Sequence, residues 1–311
     1  MTSHELICIV AGRDVPPVHP KTQYVQVGGY TAVMSAAARP AILLPRSRTA
    51  ALKDAAARQA IIEGLLPHGT VLVARPDQWV SHTEAEVFLR CNAAQLDKIA
   101  ASLEGKWQFQ ITISWDQAQV MDRFRDTPEL APLFAQKSAS PGQLEAALDR
   151  LRAGLVARIS DILDPVVSDL IRLPCADDML ANLVVLVPQR AEAQLDHCVQ
   201  AIDDIWTEGL KIKQIGPSAA GSFALLDLQW ITDDQIKAAH ARLSLPAPAT
   251  IEALQSARRR ALMASQGDTS DIREAARIIA ASAGAAGQGF HLLSVLSEDQ
   301  GVATNTWMDV A

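Results

Sequence analysis

The chain has 311 residues, 49% of them hydrophobic and 20% charged, with a formal net charge of −7. That length fits two domains of ordinary size, and an acidic balance with scattered Lys and Arg excludes the gathered basic face of a nucleic-acid partner. No run of about 18 uncharged apolar residues offers a bilayer span, and MTSHELICIVAG lacks the basic start of a signal peptide, so it reads as mature cytoplasmic sequence.

ELICIVAG and TQYVQVGGYTAVMSAA are apolar, β-branched runs separated by VPPVHP, which predicts strands joined by a rigid loop. Leu52, Ala55, Ala56, Gln59, Ile62 and Leu66 recur at helical spacing until Pro67 to Gly69 end the helix, and the strand TVLVAR comes after it. SHTE at 81–84 is a capping box, Ser81 accepting from an amide in the first turn and Glu84 reaching back. Its helix carries Leu89, Leu96, Ile99 and Leu103 on one face.

KWQFQITISW is the clearest strand. Trp107, Phe109, Ile111, Ile113 and Trp115 alternate with Lys106, Gln108, Gln110, Thr112 and Ser114, so one face is core and the other polar but almost uncharged. The polar face has two readings. One is plain solvent exposure; the other is a docking face centred on Gln108, Gln110 and Thr112, whose neutral side chains desolvate at less cost than charged ones.

A second capping box, SPGQ at 140–143, opens a long helix that runs through Leu144, Leu148, Leu151, Leu155, Ile159 and Ile162 to Asp164-Pro165 and reads as a bridge between domains. From Leu180 come the continuous apolar strand LANLVVLVP, of the kind buried on both faces, a helix ending at Gly209, the strands LKIKQIG and SFALLDLQW, and a helix opened by the capping box TDDQ at Thr232. That succession is most of the ferredoxin-like β-α-β-β-α-β order. The expected architecture is α+β with two domains: residues 1–138, a linking helix over 139–174, a ferredoxin-like domain (β-α-β-β-α) over 175–245, and a C-terminal helical extension over 246–311.

Between the last two strands, QIGPSAAGSF comes within one residue of a phosphate-binding loop. The P-loop needs Lys before its Ser or Thr and a helix immediately afterwards. Here Ser222 holds the Lys position and a strand comes next, so the segment reads as a structural turn introduced by Pro217. Cys8, Cys91, Cys175 and Cys198 are widely spaced among apolar neighbours and read as buried free thiols. Asp177-Asp178, Asp203-Asp204 and Asp233-Asp234 are adjacent pairs that cannot share a helix face, so they read as capping or solvated acids. No residue is nominated as catalytic, as a metal ligand or as a cofactor ligand.

The succession ELICIVAG, LLPHG, TVLVAR, SLEGK, WQFQITISW, LVVLVP and IGPSAAGSFALLDL resembles the GvpL/GvpF family of gas vesicle accessory proteins over roughly residues 5 to 245. Gly216, Pro217, Ser222 and Phe223 match the family's Gly-Pro turn with its downstream Ser-Phe, and Leu103, Gly105 and Lys106 its Leu-x-Gly-Lys turn. Ser218, Ala219, Ala220 and Gly221 stand where the family carries aromatics, and LVARPDQWV departs from its Pro-x-Arg-Phe-Gly form, with Arg75 at the matching Arg. The resemblance implies a non-enzymatic role in gas vesicle assembly, a cytoplasmic and gas vesicle location, and as partners the small hydrophobic shell protein and other accessory proteins, with no nucleic acid and no membrane.

Residues 243–282 also resemble the rhythm of a J-domain without its His-Pro-Asp signature, since the loop reads MASQGD, which implies only a helical hairpin for protein contact. Two other readings stay open: a nucleotide- or small-molecule-binding enzyme on a ferredoxin-like scaffold that uses QIGPSAAGSF, and a chaperone adaptor acting through residues 246–311.

Overall fold

The computed structural model describes residues 2–12, 15–39, 47–135, 140–176, 178–265, 269–282 and 289–292. They form two compact units, the described residues within 1–104 and 219–311, and those within 105–218.

The first unit opens with β1 (His4–Ala11), β2 (Thr22–Val27) and β3 (Tyr30–Ala38). The run TQYVQVGGYTAVMSAA is a hairpin, turning at Gly28, whose φ of 61° suits a residue without a side chain. Next come α1 (Arg48–Leu65), β4 (Thr70–Ala74), β5 (Trp79–Val80), α2 (His82–Cys91) and α3 (Ala93–Leu103). Ser81 and Glu84 make the expected capping box. The single helix expected beyond it is two, parted at Asn92, a buried residue whose amide donates to the Phe88 carbonyl at 3.0 Å.

The second unit begins at the strand expected to close the first domain. It contains β6 (Lys106–Trp115), α4 (Gln117–Arg123), α5 (Ala131–Phe134), α6 (Pro141–Leu163), β7 (Asp169–Arg172), β8 (Met179–Pro188), α7 (Glu192–Asp203) and β9 (Leu210–Ser218). The sheet order is β7-β8-β6-β9, every neighbouring pair antiparallel. With α6 and α7 as the two crossovers, the succession is compatible with the ferredoxin-like order on residues 105–218, a different span from the expected 175–245. The helix expected to bridge two domains is a crossover inside one unit, because β6 pairs with β8 on one side and with β9 on the other.

Phe109, Ile111, Ile113 and Trp115 of β6 enter one core with Leu151, Leu155 and Ile159 of α6 and Leu195 and Ile202 of α7. Leu183 to Val187 of β8 are all buried, as a run apolar on both faces requires.

Beyond Ser218 the chain returns to the first unit. β10 (Leu225–Leu226) pairs parallel with β4, giving the sheet β10-β4-β1-β3-β2, with β5 beside β1. β11 (Leu228–Ile231), α8 (Asp233–Arg242), α9 (Ile251–Ala264), α10 (Ser270–Ser282) and β12 (Gly289–Leu292) complete the chain, β12 pairing antiparallel with β11. The extension expected to stand apart thus belongs to the first unit, and α8, α9 and α10 share a core of Leu243, Leu254, Ala257, Ile272, Ala276 and Ile279.

Candidate functional site

The segment Gln214 to Phe223 leads out of the second unit and into the first, so the four motif residues divide: Gly216 and Pro217 in one, Ser222 and Phe223 in the other. β9 continues through the cis Gly216-Pro217 peptide to Ser218, whose hydroxyl donates to the Gln108 carbonyl at 3.2 Å. Gly216 has a φ of +140°, and a Cβ there would lie 2.7 Å from Phe109 Cδ1 and 2.9 Å from the Gln108 carbonyl oxygen. The glycine therefore permits both the backbone angle and the approach of β9 to β6.

Ala219, Ala220, Phe223 and Ala224 are buried, and the turn is closed by the Phe223 and Ala224 amides donating to the Ala220 carbonyl at 3.1 and 3.0 Å. The next element is β10, and no helix begins before Asp233. A phosphate at this turn would lack the helix N-terminus that a P-loop provides, so the segment is a structural crossing, exposed from Gln214 to Gly216 and buried at Ala219, Ala220 and Phe223.

The run SFALLDLQW was expected to be one strand of the same domain as LKIKQIG. It is two short strands in the other unit, parted by Asp227. Asp227 is held by Arg75 Nη1 at 3.4 Å and by Gln78 Nε2 at 3.3 Å, while Gln78 Oε1 accepts from the Leu228 amide at 2.7 Å and the Arg75 amide donates to the Leu226 carbonyl at 2.7 Å. The lone acid in an apolar strand was the sequence signal for this clasp. It fixes where the returning chain leaves β4.

Gln108, Gln110 and Thr112 lie on one face of β6, opposite the core. Gln108 is only 8% exposed, whereas Gln110 and Thr112 are half-buried and both reach Asn182 Oδ1 on β8, Gln110 Nε2 at 3.0 Å and the Thr112 hydroxyl at 3.4 Å. Plain solvent exposure therefore fails as a description. In the register Gln110 pairs with Ile215 and Thr112 with Lys213, and both β9 residues are exposed, Ile215 at 44%.

Elsewhere the chemistry-bearing groups have structural roles. Cys8 is fully buried, and burial pushes its thiol up to about 12 despite the pull of the Arg58 guanidinium. Cys198 is partly buried, with its thiol also raised by burial and its Sγ donating to the Ile162 carbonyl at 3.2 Å. Cys175 is exposed, against expectation, because it lies in the loop before β8. The Asp233-Asp234 pair occupies the first turn of α8, where Thr232 and Gln235 form the expected capping box. Asp177 lies outside the described residues. Among the described residues, no cluster of three or more His, Cys, Asp or Glu could hold a metal ion, and no helix is long and apolar enough to cross a membrane.

One buried charge escaped the sequence reading. Arg58 of α1, 7% exposed, donates to Glu5 Oε1 at 2.9 Å and to the carbonyls of Ile7 and Ala74 at 2.9 and 2.5 Å, joining α1 to β1 and β4. Its spacing from Ile61, Ile62 and Leu65 places it on the buried side of α1. Burial lowers its affinity for the proton and Glu5 offsets this only in part, the arrangement of a structural ion pair rather than of an acid-base catalyst.

The fold has solved counterparts. The crystal structure of the gas vesicle protein GvpF from Anabaena sp. PCC7120 matches with a TM-score of 0.59 at 20% identity, covering 71% of this chain and 95% of that one. GvpF from Microcystis aeruginosa matches with a TM-score of 0.55 at 21% identity, covering 72% and 99%. In sequence, gas vesicle protein F of Microcystis aeruginosa (strain PCC 7806) is 26% identical over 234 residues, which span 70% of this chain and 92% of the relative. Gas vesicle protein F of Dolichospermum flosaquae is 28% identical over 149 residues, or 43% and 59%. The profile of the gas vesicle synthesis proteins GvpL/GvpF matches residues 8–224, more than half of the chain and all of the second unit, and the chain therefore belongs to that family.

Proposed function

We propose that this protein is a gas vesicle accessory and assembly protein that binds the small hydrophobic shell protein and other accessory proteins and performs no chemistry of its own. The family match over residues 8–224 carries the reading. The geometry supports it: the turn that most resembled a nucleotide loop runs into a strand with no helix N-terminus behind it, which weighs against the enzyme alternative.

The contact proposed for the second unit is the sheet surface around Gln110 and Thr112, enlarged by Ile215 on β9, with buried Gln108 next along the same face. The face sets an exposed Ile beside neutral polar groups that desolvate at less cost than charged ones, with Lys213 at its edge, and a shell subunit with an apolar gas-facing side needs such a partner until it is added. Its location is proposed as cytoplasmic, at the gas vesicle, and the Gly216-Pro217 and Ser222-Phe223 motif as the crossing that sets where β9 ends.

Co-expression with the shell protein, co-purification and flotation test the role. Binding with flotation makes this protein a vesicle component; binding to soluble shell protein without flotation makes it an assembly factor. No binding in either fraction refutes the proposal. Gln110→Glu and Thr112→Glu together with Ile215→Glu, in a variant that keeps its unfolding transition, should abolish binding, and unchanged binding would move the contact elsewhere.

A further inference from the structure

The family profile ends at residue 224, and two solved GvpF chains are covered almost completely by less than three quarters of this chain. α8, α9 and α10 lie beyond the profile match. α9 turns Leu254 and Ala257 into the core it shares with α8 and α10. Its solvent side keeps Ile251 64% and Met263 88% exposed, the largest exposures among the described large hydrophobic side chains. The two residues mark the ends of a helical ridge about 18 Å long.

Arg258, Arg259 and Arg260 stand between them, all exposed. Three of the cations on the neighbouring helices are paired, Lys237 with Asp234, Arg242 with Asp271 and Arg277 with Glu274. The three arginines of α9 have no such ion pair with a described residue, and Arg259 reaches only the Ser256 hydroxyl at 3.5 Å. Beside the ridge, Arg242 and Arg260 border a cleft of about 450 Å³ with Leu243 and Ile272 in its lining, enough for an apolar side chain.

We propose that α9 is a docking helix for an acidic, amphipathic helix of a partner protein. The partner's carboxylates pair with Arg258 and Arg259, the guanidinium being suited to two-pronged carboxylate contacts. Its apolar residues cover Ile251 and Met263 and enter the cleft, the helix-on-surface mode of recognition. Charge complementarity selects this occupant. A nucleic acid needs a wider basic surface than one triplet in a chain of net charge −7. A bilayer surface needs a continuous apolar helix face, and the continuous apolar face of α9 is turned into its own core. The proposal stands apart from shell-protein binding.

Fluorescence polarisation of the full chain tests it, with a capped, fluorescein-labelled 18-residue helical peptide as probe, Leu at both ends of one face and Glu between them. Saturable binding is expected, weakened at least about tenfold by Arg258→Glu with Arg259→Glu and about threefold by Met263→Ser, and reduced by raised salt. Circular dichroism checks the fold of each variant; Met263→Ser and the salt dependence keep the test open if charge reversal unfolds the helix. Absent saturation, or binding indifferent to these changes, overturns the proposal. So does tighter binding of duplex DNA or of phosphatidylglycerol vesicles through the same arginines.

Discussion

Gly216→Ala probes the approach of β9 to β6. The substitution forces an L side chain to a φ of +140°, and its Cβ would sit 2.7 Å from Phe109 Cδ1 and 2.9 Å from a backbone oxygen. Phe109 is 1% exposed and has little room to retreat, and the carbonyl is held in the sheet. Backbone strain of about 1–3 kcal/mol and overpacking of about 1–3 kcal/mol together predict a loss of about 2–6 kcal/mol from the second unit. Two controls separate the terms. Gly105 also has a positive φ, 66°, but nothing within 4 Å of its Cβ, so Gly105→Ala should cost only about 1–2 kcal/mol. Gly154 lies inside α6 with open space around it, and Gly154→Ala should stabilise by about 0.5–1 kcal/mol. Urea unfolding, followed through the fluorescence of Trp107, Trp115 and Trp206 in this unit, ranks the three. If Gly216→Ala costs no more than Gly105→Ala, the contact with Phe109 is not what requires glycine.

Arg58→Met should destabilise the first unit by about 3–5 kcal/mol, since it leaves the Ile7 and Ala74 carbonyls without their donor and Glu5 without its cation; Glu5→Gln should cost far less, and equal losses in urea unfolding would contradict this account. Ser81→Ala removes a capping box and should cost about 0.5–2 kcal/mol, read from the same transition, with no loss refuting the capping role. Cys8 carries a pH dependence. Its folded thiol is raised from 9.0 to about 12, so the unfolded chain gives up that proton first, and the stability it contributes is complete below pH 9 and falls as pH rises toward about 12. The slope is about 1.4 kcal/mol per pH unit, and Cys8→Ala should flatten it in denaturation measured from pH 8 to 11; parallel slopes would exclude the thiol as its source.

Local features were legible in the sequence because their causes are local. Three capping boxes formed at Ser81, Ser140 and Thr232, and the alternation from Trp107 to Trp115 turned its odd positions to the core. Strand partners were not legible. LVVLVP, a helix, LKIKQIG and SFALLDLQW succeed one another as a compact unit would, yet β8 and β9 are not neighbours: β6 lies between them and comes from more than 60 residues before β8. The last of those strands leaves for another sheet, where Leu225 meets Val73. The same blindness affected the site, since the acceptor that engages Gln110 and Thr112 is Asn182, on a strand whose pairing no local pattern declares. A direct consequence separates the two divisions of the chain. A polypeptide of residues 105–218 contains the whole four-stranded sheet and the core running from Phe109 to Leu210, so it should fold alone, with a cooperative urea transition and dispersed amide resonances. One of residues 175–245 lacks β6, leaving β8 and β9 with no strand between them to satisfy their inner hydrogen-bonding groups, and should remain unfolded. A cooperative transition in the second polypeptide and none in the first would mean that the pairing around β6 does not organise this half of the chain.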